Sequence, residues 1–222
     1  DAVLIFKGTA NRHAFKVNSG SSWGNGGLNS YKGRIIIDNA VMVFGSMGYG
    51  RSSLLTNAVT VRNGGGVFST AAGPNWNSNL GITVEDFGYI STVYGGTLSI
   101  RNPIAGGTLT FTSPTINIYS KTSLDKVIVS TGNSVTFMSG AVCDNANYEI
   151  SKGPLTFNEG VVFTERDELP LITVSGTLNA GANAMGNLRL NLKNGGIFVA
   201  KNDGATIQAF RLTNASIEGG AA

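Results

Sequence analysis

Few segments of this chain hold side chains suited to chemistry. Carboxylates come together at Glu85-Asp86 and in Glu165-Arg166-Asp167-Glu168, and His13 and Cys143 are the only residues of their types. Paired carboxylates some 5–10 Å apart are what glycosidic-bond hydrolysis needs. Adjacent strand residues point to opposite faces, so Glu85 and Asp86 could serve one cleft only from a loop. Glu165 and Asp167 can share a face and are the candidate catalytic pair. Their cluster runs into Leu169-Pro170, however, and reads as a solvated turn. His13 sits in Asn11-Arg12-His13-Ala14-Phe15, and no G-x-S-x-G elbow occurs, so nothing supports a nucleophilic triad.

One cysteine and one histidine exclude an intramolecular disulfide and a Cys/His zinc site. Cys143 reads as a small buried hydrophobe. No calcium-binding nonapeptide is present, so neither a metal nor a cofactor is expected. Gly24-Asn25-Gly26-Gly27 and Gly64-Gly65-Gly66 precede neither Gly-Lys-Ser/Thr nor a helix, and read as corners rather than phosphate loops. The remaining candidates are aromatic. Trp23 and Trp76 lie in polar, turn-like segments, and Tyr31, Tyr89 and Tyr94 lie near similar turns. Such rings can stack on sugars or make protein contacts, or they can cover the flanks of a core.

The elements that position these residues are strands. No stretch repeats apolar residues at i, i+3, i+4 and i+7, whereas short alternating or continuous apolar runs recur throughout. Ile35-Ile36-Ile37, Val59-Thr60-Val61, Leu98-Ser99-Ile100, Leu109-Thr110-Phe111 and Val127-Ile128-Val129 are examples. Gly-Gly pairs such as Gly106-Gly107 and Gly195-Gly196 punctuate them. Glycine, and next to it asparagine, supplies the positive φ that tight corners require.

Internal similarity separates the possible β architectures. Ile37-Asp38-Asn39-Ala40-Val41 resembles Leu55-Thr56-Asn57-Ala58-Val59, eighteen residues on, and Leu212-Thr213-Asn214-Ala215 near the end. Val61-Arg62-Asn63-Gly64-Gly65 resembles Leu192-Lys193-Asn194-Gly195-Gly196. Asn39, Asn57, Asn63, Asn194 and Asn214 thus mark recurring corners. A parallel β-solenoid, also called a β-helix, gives them a physical role. Each coil lies ~4.8 Å above the last, so apolar residues stack into one core and corner amides bond from coil to coil. The alternative is an antiparallel β-sandwich, which shares the turn spacing but seldom repeats internally. The expectation is one all-β solenoid domain over residues 1–222. Irregular insertions are expected within 70–185, where no fixed period aligns.

Composition agrees. The chain has 31 Gly and 23 Asn, is 41% hydrophobic and only 13% charged, which favours ordered strands with many turns over disorder. The net charge is +3 and the pI near 9.1, but no two basic residues are adjacent, so no nucleic-acid footprint is present. No run reaches the ~20 apolar residues of a membrane span. Asp1 in place of Met, without a signal sequence, reads as a processed product or an excised fragment.

Leu55-Thr56-Asn57-Ala58-Val59-Thr60-Val61-Arg62-Asn63-Gly64-Gly65 and Leu188-Arg189-Leu190-Asn191-Leu192-Lys193-Asn194-Gly195-Gly196 resemble the strand–turn repeats of bacterial autotransporter passenger domains. Asn29-Ser30-Tyr31-Lys32-Gly33 is similar to the Asn-x-Tyr-x-Gly-Gly turn of autotransporter-associated β-strand repeats, and Thr177-Leu178-Asn179-Ala180-Gly181 to their Asn-Ala-Gly turn. The resemblance covers about a third of the chain, and no β-barrel translocator follows. It implies a right-handed parallel β-helix, export to the cell surface, and a role in adhesion, display or surface structure. The expected function is that of a non-enzymatic extracellular structural protein, either an adhesin passenger segment or a self-assembling fibre subunit. Neither end carries an obvious polar cap, so expected partners are further coils of a parent chain or copies stacked end to end. Host or bacterial surface glycans are further candidate partners; nucleic acid and membrane insertion are not expected. The alternatives are a carbohydrate-active β-helix of phage-tailspike type, using Glu165 and Asp167, and a glycan-binding module contacting sugar through Trp23, Tyr31, Trp76 and Tyr94.

Overall fold

A computed structural model describes residues 2–9, 14–17, 33–44, 59–69, 81–92, 97–112, 115–130, 132, 134–164, 167–181, 189–200, 209–213 and 216–219. Among them there is no helix, and every strand pairing is parallel. The chain is a parallel β-solenoid and not an antiparallel sandwich.

Its strands stack in three columns around one apolar interior. The first column holds β1 (Val3–Lys7), β3 (Arg34–Asp38) and β5 (Val59–Arg62). It continues through the leading halves of β7 (Ile82–Thr92), β9 (Ile104–Phe111) and β11 (Thr122–Val129), then β13 (Val142–Cys143) and β16 (Val162–Phe163). The second column begins with β2 (Ala14–Val17), β4 (Val41–Phe44) and β6 (Gly65–Ser69). It passes through the trailing halves of β7, β9 and β11 to β14 (Asn147–Ile150), β17 (Leu171–Val174), β19 (Arg189–Lys193) and β21 (Ala209–Thr213). Because β7, β9 and β11 run through both columns, the two make one 15-stranded sheet. The third column is a separate 7-stranded sheet. It contains β8 (Thr97–Ile100), β10 (Thr115–Ile118), β12 (Val135–Phe137), β15 (Pro154–Phe157), β18 (Thr177–Ala180), β20 (Ile197–Ala200) and β22 (Ser216–Gly219).

Two-residue alternation builds the interior. On the third column Leu98, Ile116, Val135, Leu155, Leu178 and Phe198 occupy one register position and are all buried. Two positions on, Phe137 and Phe157 stack with ring centroids 5.2 Å apart. The edge of Tyr148 from the second column and that of Phe163 from the first meet Phe157 at 5.6 and 4.9 Å. One ring therefore ties all three columns together. Dispersion and apolar burial make such a cluster the largest local source of stability.

Coil length varies, which is why no fixed period aligns in the sequence. Ladder partners are 24 residues apart at Ile35 and Val59, 22 at Ile82 and Ile104, and 18 at Thr108 and Lys126. The eighteen-residue match of Asn39 with Asn57 does not coincide with a coil. Val59 pairs with Ile35, and Asp38 pairs with Arg62, so Asn39 stacks on Asn63. The Asn-Ala match therefore does not mark equivalent places in these two coils.

Candidate functional site

The densest polar arrangement lies where the first column turns into the second. Asn39 and Asn63 occupy this corner with φ of 47° and 52°. Asparagine tolerates that left-handed region better than other residues with a Cβ. Asp38, just before the corner and 6% exposed, accepts bonds from the next coil. The Asn63 amide donates to its Oδ1 at 2.8 Å, and Arg62 Nε and Nη2 to its Oδ2 at 3.1 and 3.0 Å. Arg62 Nη1 also reaches up one coil to Glu85 Oε2 at 3.4 Å. The Asn63 backbone N–H donates to Asp86 Oδ1 at 2.7 Å, and the Phe87 N–H donates to the same oxygen. Downward, the Asn39 amide donates to the Thr9 carbonyl at 3.3 Å. Four successive coils are thus linked through one corner.

Glu85 and Asp86 are both exposed on strand β7 without being in a loop. The register against β9 slips between Val84 and Phe87, so that two residues of β7 oppose Gly107 alone. This bulge cancels the alternation that would have sent the two carboxylates to opposite faces. Opposite it, Gly106 has φ +111°, and a Cβ there would lie 1.9 Å from the Val84 carbonyl oxygen. A Cβ on Gly107 would lie 2.1 Å from that of Asp86. The Gly106-Gly107 pair therefore lies inside a strand and lets it bend around the corner, where sequence reading placed it between strands.

The chemistry available here is binding and cross-linking. The Asn63 hydrogen bond first, and then Arg62, overcome the cost of burial and hold the Asp38 carboxyl below its ordinary value. The bond to Asp38 raises Arg62 in return. An ionised, saturated carboxylate cannot serve as a general acid. Cys143 is equally inert, since burial pushes its thiol up to about 12 against weaker opposing bonds with Tyr148 and Thr122.

A second polar cluster is internal, and sequence reading did not single it out. Asn145 is 1% exposed, accepts from the Leu124 N–H at 2.9 Å, and donates to Thr122 Oγ1 at 2.7 Å and to the Tyr148 hydroxyl at 2.8 Å. It pins β11 to the following coil from inside. Nothing in the sequence distinguishes it from 22 other asparagines.

Of the expected site residues, Asp167 is described and exposed, whereas Glu165 lies outside the described residues. Trp23, Tyr31, Trp76, Tyr94, Asn57, Asn214 and His13 also lie outside them. Asn194 has φ 51° in the turn between β19 and β20, a different corner from that of Asn39 and Asn63. Among the described residues no three His, Cys, Asp or Glu side chains are grouped so as to hold a metal ion, and no helix is long and apolar enough to cross a membrane. No family model, curated protein or solved structure matches this chain.

Proposed function

We propose that this chain is a non-enzymatic structural module of an extracellular or cell-surface protein, acting as a rigid β-solenoid spacer or display scaffold. The observation that carries this reading is how several of the described charged and amide side chains are used. The Asp38–Arg62–Glu85 corner, the Lys126–Glu149 pair, the Lys121–Asp144 pair and the Asn145 cluster all join one coil to the next. Polar groups so engaged stiffen a rod and are unavailable for turnover. Low overall charge and a sequence resemblance to autotransporter passengers support an exported setting, as an adhesin segment or a fibre subunit. The test is antibody labelling of intact source cells, followed by electron microscopy of the purified chain. Surface label together with rods or filaments is the expected result. Label that appears only after permeabilisation would sink the extracellular assignment, and hydrolysis of any member of a polysaccharide panel would sink the non-enzymatic one.

A further inference from the structure

The outer surface of the first five strands of the third column differs from the rest of the described molecule. Between its buried apolar residues, β8, β10, β12, β15 and β18 present Ser99, Asn117, Thr136, Thr156 and Asn179 at one register position. A parallel row two residues earlier holds Thr97, Thr115, Pro154 and Thr177, and passes on to Ile197 in β20. No outward position on these five strands is charged. The second column, by contrast, presents Lys126, Glu149 and Arg189 outward. Ser99 and Thr156 are buried within the row, and Asn179 donates to Thr156 Oγ1 at 3.2 Å. Thr115, Asn117, Thr136 and Thr177 are partly exposed and make no side-chain hydrogen bond to another described residue.

We propose that this strip binds a neutral, linear glycan lying parallel to the solenoid axis, about one sugar ring per coil. Hydroxyl and carboxamide groups both donate and accept, as sugar hydroxyls do, and an uncharged strip suits a partner without carboxylates or sulfates. Successive coils repeat at ~4.8 Å, close to the advance of one ring in an extended β-linked glycan, and the two rows are ~7 Å apart, one polymer chain wide. Threonine is restricted at χ1, so the hydroxyls lose little freedom on binding. None of Trp23, Tyr31, Trp76 and Tyr94 belongs to these five strands. It does not depend on where the protein resides, so a titration tests it independently of the cell-surface reading.

The experiment is calorimetric titration of the full chain with β-1,4-linked glucose and N-acetylglucosamine oligosaccharides, from disaccharide to hexasaccharide. In at least one series the association constant should rise with each added ring and level off near the pentasaccharide. It should also be unchanged by added sodium chloride. Thr136→Arg, in the middle of the strip, should lower it roughly tenfold or more, as expected for blocking buried hydrogen bonds. Asn117→Ala gives the same loss more mildly without introducing bulk, and Glu149→Gln on the second column leaves binding intact. Circular dichroism confirms that each variant is folded. The proposal is overturned if neither series binds, or if affinity stops rising at the disaccharide. Binding that disappears with salt points to an anionic partner and also overturns it. So does a dimer that forms through the strip and is broken by Thr136→Arg, since the occupant would then be a second copy.

Discussion

Two regions hold consecutive coils together by opposite means. Around Phe157, four aromatic side chains from three columns meet in a dry interior. At the Asp38–Arg62–Glu85 corner, the contact is a chain of charge-assisted bonds, with Arg62 and Glu85 side chains 31% and 41% exposed. The first kind of contact removes apolar area from water and excludes a one-residue slip, which would turn its rings outward, but it is less exacting about a slip of two. The second yields little energy in solvent, yet it is satisfied only when Arg62 stands over Asp38 and under Glu85. Stability and exact register are therefore assigned to different places in the coil.

The sharpest way to break this comparison is Phe157→Ala, which leaves a cavity among the three remaining rings and should cost about 3–5 kcal/mol in urea unfolding. A cost below about 1 kcal/mol would mean that the interior is not where stability resides. Asn145→Ala is intermediate. It strands the Leu124 N–H and the partners on Thr122 and Tyr148, with an expected loss of about 1–3 kcal/mol. Cys143 provides a probe of the same region. Native protein should resist thiol-modifying reagents, because burial pushes the group up to about 12, and should react only as the chain unfolds. Rapid labelling of the folded protein would show that the interior opens locally.

Smaller effects belong to the corner. Since folding depresses the Asp38 carboxyl, its stabilising contribution is complete above the ordinary aspartate value of 3.8 and disappears as pH falls through the folded value. Asp38→Asn should therefore lower stability near neutral pH and flatten the acid limb below about 4, so that variant and parent converge in acid. An acid limb identical in the variant and the parent would remove Asp38 from the account. Arg62→Met should give the smallest shift in urea midpoint of the four substitutions, and one that shrinks further in high salt.

Much of the fold was legible from short strands, Gly-Gly pairs and asparagine corners. Asn39, Asn63 and Asn194 do hold positive φ, as residues chosen for tight turns should. The stacking of coils was less legible. Similarity of type is not equivalence of position when ladder spacings run from 18 to 31 residues, and Asn57 resembled Asn39 better than its ladder partner Asn63 did. At Glu85-Asp86, strand alternation misled because a bulge, visible only with β9 alongside, turns both side chains outward. Asn145 carried no local signal, since its partners Thr122 and Tyr148 reach it only in the folded coil. The neutral strip was written as plain alternation, as in Thr97-Leu98-Ser99 and Thr115-Ile116-Asn117. Its continuity appears only once the register is known.

The short advance between coils bears on how the chain folds. Ladder contacts join residues about 18–31 apart in a chain of 222, so relative contact order is roughly 0.1, a value ordinarily found in helical bundles rather than β proteins. The amides of Asn39, Asn63, Asn145 and Asn179 all reach back to residues that precede them by a coil. Each new coil can therefore dock on a finished template without waiting for the rest of the chain to emerge. Nucleation is the slow step and propagation is a zipper, so the molecule can be laid down in the direction of its synthesis.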